Sequence, residues 1–226
     1  MSTLIPPFSR PELFFGFVAP IGVDVQGCVD ILKEKLDNMG YITVEIKVTD
    51  IFQKLKDYIE PEIELKTTPE YQRYGAYIKY GNKLRTCFED DAAVAVLTIA
   101  RLIRLRINTV DRNGEKPEPV LNIAFIMHQF KRKEEIDLLR SLYGEQFFQI
   151  SVYWRRGARV DYLSTRFANT ANSANRNEFR SAAERIVQID YNESSDEHGQ
   201  KIVKIFHDGD FILNIDRDIQ LVSHQI

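Results

Sequence analysis

Metal and disulfide signatures are missing from this chain. Its 226 residues hold two cysteines, Cys28 and Cys87, and no Cys-x-x-Cys pair. Neither a zinc site nor a disulfide framework is indicated by that pattern. Both cysteines lie in or beside expected helices and read as small core hydrophobes. A strong excess of one charge is also absent. The 30 Lys and Arg face 33 Asp and Glu, for a formal net charge of −3 and a pI near 5.9. That balance gives no support to a wide nucleic-acid-binding surface. Long apolar runs are missing too. The longest largely apolar stretch, Ala92 to Ala100, is far shorter than the roughly 20 residues a spanning helix needs. Met1 to Ser9 carries neither the basic start nor the apolar stretch of a secretory leader. The expectation is a cytoplasmic protein with no membrane partner.

What remains is an ordinary globular balance, 44% apolar and 28% charged. The pattern alternates between strands and helices. Leu13 to Val18 is an apolar strand. Val25, Val29, Leu32, Leu36 and Met39 follow at helical spacing, with Asp24 suited to the N-cap and Gly40 to the C-terminal turn. Residues 44–48 alternate, with Glu45 and Lys47 on one face, as in a strand near a sheet edge. Asp50 can start a short helix to Tyr58. Residues 60–69 form a connector, and 70–79 are helical. Gly81-Asn82-Lys83-Leu84-Arg85 has the composition of a turn. A buried helix is expected from Asp90 or Asp91 to about Arg106, and an exposed loop over 110–119. Strands follow at 120–127 and 147–153, with an amphipathic helix at 133–143 between them. A helix begins at Arg159 and runs into a polar stretch, so 155–180 has the makings of a lid. Residues 179–189 are mixed, 199–206 look helical, and 211–215 form a last strand. The fold class is α/β: a three-layer sandwich with a mainly parallel sheet of about five strands, like P-loop NTPases and kinases. Residues 1–226 read as one domain.

The loop after the first strand is the most informative segment. Strand, small-residue turn and helix N-terminus follow in the order by which P-loop proteins hold phosphate. Yet G-x-x-x-x-G-K-[ST] is not met. In one register Ala19 and Asp24 stand for the glycines, and Val25 and Gln26 for the Lys and Ser/Thr. In another, Gly22 and Gly27 are kept but Cys28 and Val29 follow. Either way the phosphate-gripping ammonium and the Mg²⁺-holding hydroxyl are missing. The candidate phosphate-binding loop is therefore Ala19, Pro20, Ile21, Gly22, Val23 and Asp24, with its catalytic chemistry removed or altered. Gly22 and the small Ala19 leave room for backbone to approach a ligand.

Further candidates supply the missing charge. Asn82 and Arg85 could face a nucleotide from the expected turn. Arg155, Arg156, Arg159 and Arg166 cluster after the fourth strand, where arginines of small-molecule kinases close over phosphoryl groups. Of these, Arg155 and Arg159 are the candidate phosphate-binding residues, and Trp154 borders the cluster. His128-Gln129 ends the third strand, at the sheet edge that faces the ligand crevice in open α/β folds. No residue is assigned as catalytic or as a metal ligand. The implied cofactor is a nucleotide, with or without Mg²⁺.

Several separated blocks resemble one family. They are Glu12 to Asp24, Tyr80 to Arg85, Gln129 to Gly144, Phe147 to Tyr153 and Gly199 to Val203, in order from about residue 11 to 215. The chain resembles the N-terminal P-loop-like region of the deoxycytidylate/dCTP deaminases of bacterial anti-phage defence. Those proteins carry a following zinc deaminase domain marked by H-x-E and P-C-x-x-C. This sequence has neither motif. The resemblance therefore implies a nucleotide-sensing regulatory domain that is not catalytic alone. Its implied partners are a nucleotide or deoxynucleotide, a deaminase domain or separate chain, and an inhibitory RNA. The alternatives are a nucleotide-kinase-class phosphotransferase with a degenerate loop, and a non-catalytic interaction scaffold.

Overall fold

The computed structural model describes residues 10–110 and 122–216. Met1 to Ser9, read for a secretory leader, and nearly all of residues 110–119, where an exposed loop is expected, lie outside them. Five strands form one sheet: β1 (Leu13–Val18), β2 (Ile42–Lys47), β3 (Ile123–His128), β4 (Phe147–Tyr153) and β5 (Phe211–Asn214). Their order is β2-β3-β1-β4-β5, and every pairing is parallel. The apolar β1 and β3 are inner strands, and the half-polar β2 is an edge, as their sequences require.

Alternation along the strands separates two layers of side chains. Phe14, Val18, Phe125, Met127 and Phe147 pack under α2 (Val48–Leu55), α3 (Glu70–Phe88), α4 (Ala93–Val110) and α5 (Lys133–Tyr143). Phe15, Phe17, Ala124, Ile126 and Ile150 face the other way, onto α1 (Val25–Asn38). The result is the three-layer α/β sandwich. Asp24 caps α1 by accepting the Gly27 N–H at 3.1 Å, and Gly40 closes it at φ +81°. Asp90 accepts the Ala92 N–H at 2.7 Å just ahead of α4.

Two local readings need correction. Residues 81–85 are no turn: α3 runs unbroken from Glu70 to Phe88. Residues 199–206 are no regular helix but two short 3₁₀ turns, Ile202–Lys204 and Phe206–Asp208. The expected lid region holds α6 (Arg156–Thr170), a 3₁₀ turn at Arg176–Phe179 and the start of α7 (Arg180–Tyr191). Val160, Leu163 and Phe167 of α6 pack with Ala183, Ile186 and Val187 of α7 and with Ile21 of the first loop. No described helix is long and apolar enough to cross a membrane.

The helices after β1 and β3 cover opposite faces of the sheet. Adjacent strands whose connections diverge in this way leave a crevice at their C-terminal ends.

Candidate functional site

That crevice is occupied by a cleft of about 340 Å³. The β1–α1 loop contributes Ile21, Val23 and Asp24; the ends of β2 and β3 contribute Lys47 and His128; Lys131 follows. Helix α3 lays Arg73, Tyr77, Gly81 and Arg85 along one wall, and α6 adds Tyr162 and Arg166. These four α3 positions recur every fourth residue, so they share one helix face.

The loop meets its need for an anion internally. The Ile21 N–H donates to Asp190 Oδ2 at 2.6 Å, and Asp190 is fully buried. Lys131 Nζ donates to Asp190 Oδ1 and to the Ala19 carbonyl, both at 2.7 Å. An ammonium and a carboxylate thus sit against the loop, the ammonium from the segment between β3 and α5 and the carboxylate from α7. The Pro20 carbonyl accepts the Val23 N–H at 3.2 Å and closes the turn. No motif in the sequence points to this pair. Lys131 and Asp190 lie 59 residues apart, and neither stands at a recognisable spacing.

Gly22 does not line the cleft. Its φ is +89°, and an added Cβ would meet Arg159 Cβ at 3.0 Å, the Arg159 carbonyl at 3.2 Å and Leu163 Cδ1 at 3.2 Å. The room expected for a ligand is taken by α6. Gly22→Val should therefore lower stability itself, by about 1–3 kcal/mol for a β-branched residue held at positive φ. A melting curve unchanged by Gly22→Val would show that the turn can refold around the side chain.

Arg159 is also structural. Its Nη1 donates to the Ile21 carbonyl at 3.1 Å and its Nε to the Trp154 carbonyl at 3.0 Å. Burial pulls its pKa below the ordinary value, against the opposing field of Asp190. Arg155 is mostly exposed and lies 3.6 Å from Asp216, outside the cleft. Arg166 does face the cleft, where it pairs with Glu70 and donates to the Tyr162 hydroxyl at 2.9 Å. Trp154 packs edge-on against Tyr162, with centroids 5.6 Å apart.

Asn82 and Arg85 are buried at 3% exposure each, in mid-helix. Asn82 Nδ2 donates to Glu193 Oε2 at 3.0 Å and to Asp196 Oδ2 at 2.9 Å, which pins the loop after α7. Arg85 Nη2 donates to Glu135 Oε1 at 2.6 Å, and its Nη1 to the His198 carbonyl at 3.3 Å. Arg85 lines the cleft; Asn82 stands behind it.

Among the described residues, Arg73 forms no ion pair. Its guanidinium lies over the rings of Tyr77 and Tyr74, at 4.7 and 5.7 Å from their centroids. The other four cleft cations each have a carboxylate: Lys47 with Glu45, Arg85 with Glu135, Lys131 with Asp190, Arg166 with Glu70.

His128 Nε2 lies 2.9 Å from Glu45 Oε1, where Lys47 also approaches at 3.3 Å. Burial alone would raise the Glu45 pKa. The hydrogen bond from His128 and the charge of Lys47 outweigh it and bring the carboxyl down to about 2. Burial pushes the His128 imidazole below its ordinary value, against the pull of Glu45. Both shifts are depressions. Their stabilisation is present above the unfolded values and is lost as pH falls through the folded ones. Stability should decline once pH drops below 6.5, and decline further from 4.5 towards 2. Glu45→Gln should flatten the lower arm in urea titrations run across that range. An unchanged slope would remove Glu45 from the account.

No family model matches the chain, and no curated protein matches it. Among solved structures it is similar to TT1252 from Thermus thermophilus, at 11% identity and a TM-score of 0.39, over 95% of this chain and 93% of that one.

Proposed function

We propose that this chain binds a nucleotide in the cleft as a control module and does not turn it over. One observation carries the reading. The cleft gathers five cationic side chains and the rings of Phe52, Tyr74, Tyr77 and Tyr162, against the single carboxylate of Asp24. Cations and stacking faces together suit a phosphate joined to a flat heterocycle. The loop argues against phosphoryl transfer. It has no Lys or hydroxyl at Val25 and Gln26, and its nearest cation, Lys131, is held by Asp190. Transferring phosphoryl groups need such charge free to follow them.

The charge arithmetic favours one phosphate over three. Three of the five cations have a carboxylate to themselves, Lys47 shares Glu45 with Lys33, and Arg73 is the one cleft cation with no ion pair among the described residues. A triphosphate would need Mg²⁺ to balance the rest. The resemblance to deoxycytidylate/dCTP deaminases makes dCMP and dCTP the first ligands to test. A deaminase chain and an inhibitory RNA are the partners it suggests.

Calorimetry with nucleoside mono- and triphosphates tests the reading. A monophosphate should bind, and Arg73→Ala should weaken it roughly 10- to 100-fold, the loss of one charge-assisted hydrogen bond. Arg73 holds no carboxylate, so its removal should leave the melting temperature close to that of the unaltered protein. If no nucleotide binds, the scaffold reading stands. Sustained ATP consumption would instead place the chain among the phosphotransferases.

A further inference from the structure

The cleft has two chemically different ends, and both belong to one helix face. Arg73, Tyr77, Gly81 and Arg85 are four residues apart in turn, a stripe about 18 Å long at 1.5 Å per residue. Arg85 folds back along it, so that its Nη1 lies 3.7 Å from where a Cβ would sit on Gly81. Between the ends lie the Tyr77 ring and Phe52, whose Cζ comes within 3.5 Å of that same Cβ position. The floor between the two arginines is therefore aromatic, and at Gly81 the Phe52 ring and the Arg85 guanidinium pack against the bare backbone.

The Arg85 end differs from the Arg73 end in what it still needs. Arg85 is 3% exposed and uses Nη1 and Nη2 on Asn82, His198 and Glu135, but its Nε is buried without a partner. Gln200 is 8% exposed, and its Oε1 is likewise buried without a partner. Its backbone is fixed on both sides by Glu193: Gln200 N–H donates to Oε2 at 3.2 Å, and the Gln200 carbonyl accepts the Glu193 N–H at 2.8 Å. Both side chains line the cleft. Buried polar atoms without partners are rare, because each forgoes the hydrogen bonds it had in water.

We infer that Arg85 and Gln200 read the neutral, hydrogen-bonding edge of a heterocyclic base, while Arg73 receives the anion at the opposite end. The inference rests on the nucleotide reading above and adds the orientation of the ligand. Arg85 Nε offers a donor and needs an acceptor. Gln200 Oε1 offers an acceptor and needs a donor. Ionised phosphate oxygens only accept, so they cannot satisfy Gln200. Glu135 already neutralises Arg85, so no net charge draws an anion there. A base edge carries an acceptor beside a donor and satisfies both. The Tyr77 and Phe52 rings line the same cleft and offer the base apolar surface. At the other end Arg73 has donors and uncompensated charge, which suit phosphate.

The test separates the two ends. Binding is measured for a panel of four nucleoside monophosphates, their free nucleosides and inorganic phosphate. The unaltered protein should discriminate among the four bases. Gln200→Leu keeps the bulk and removes the amide. It should fold normally, bring the four monophosphate affinities together, and weaken the preferred one about tenfold, as for one lost hydrogen bond. Arg73→Gln should weaken all four monophosphates alike and leave free nucleosides untouched. Gln200→Glu keeps an acceptor at the same place, so it should retain the order of preference that Gln200→Leu loses, and it guards against a leucine variant that misfolds. If nucleotides bind but Gln200→Leu keeps the original discrimination, or a folded Gln200→Glu loses it as the leucine variant does, the orientation is wrong while the nucleotide reading survives. If the unaltered protein binds no nucleotide, both fall.

Discussion

Asp190→Ala should destabilise the protein by about 3–5 kcal/mol, the usual result of removing one partner from a buried ion pair. Asp190 is fully buried and supports three things at once. It accepts the Ile21 N–H at 2.6 Å, pairs with Lys131 at 2.7 Å, and through Lys131 fixes the Ala19 carbonyl. Its loss strands an ammonium that is 8% exposed and a backbone N–H in the middle of the β1–α1 turn. Replacing both partners, as Asp190→Ala with Lys131→Met, should be much milder than the single change. Apolar groups of similar volume often substitute for a buried pair without penalty. Urea unfolding of the four proteins in this double-mutant cycle gives the coupling directly. Additive losses would mean that Lys131 and Asp190 contribute separately, and that Asp190 does not serve the loop as its anion. Inorganic phosphate adds a second readout. It should raise the melting temperature of the Asp190→Ala variant, whose N–H and ammonium are left without an anion, more than that of the unaltered protein.

This pair also marks where the sequence stops being informative. The β1–α1 unit was legible because its signals are local. An apolar run, an acidic cap at Asp24 and a glycine at 40 all lie within one strand–helix unit. The half-polar face of β2 was legible too, since Glu45 and Lys47 alternate with Val44 and Ile46. The missing loop chemistry could be read from Val25 and Gln26. What replaced it could not. Asp190 reaches Ile21 across 169 residues, and nothing in the composition near Tyr191 distinguishes it from a solvated acid. The turn expected at Gly81 failed for a related reason. Gly in a helix interior costs about 1 kcal/mol relative to Ala, and Gly-Asn is a common turn pair. Tertiary contacts override that cost here, with Asn82 held by Glu193 and Asp196 and Arg85 by Glu135. The spacing of Arg73, Tyr77, Gly81 and Arg85 was visible in the sequence. It gains meaning only once α3 is known to be continuous.

Glu135→Ala should be nearly as damaging, again by about 3–5 kcal/mol, because it too leaves a buried charge alone. Glu135 is fully buried on the first turn of α5. One oxygen accepts Arg85 Nη2 at 2.6 Å. The other accepts the N–H groups of Lys131 at 2.8 Å and Arg132 at 3.1 Å. A carboxylate in that place caps the start of α5, where the helix dipole favours negative charge. It also joins the cap to the wall of the cleft. Glu135→Gln keeps an acceptor for the backbone N–H groups but removes the charge that balances Arg85. It should therefore recover part of the stability and leave Arg85 with uncompensated charge facing the cleft. Inorganic phosphate, which has no reason to prefer the Arg85 end in the unaltered protein, should then bind the Gln variant more tightly. Thermal melts of both variants, with and without phosphate, decide the matter. If Glu135→Ala melts like the unaltered protein, Arg85 has another counter-charge and the neutrality of that end of the cleft fails. If Glu135→Gln gains no phosphate response, Arg85 is shielded from the cleft and its side chain is a strut alone.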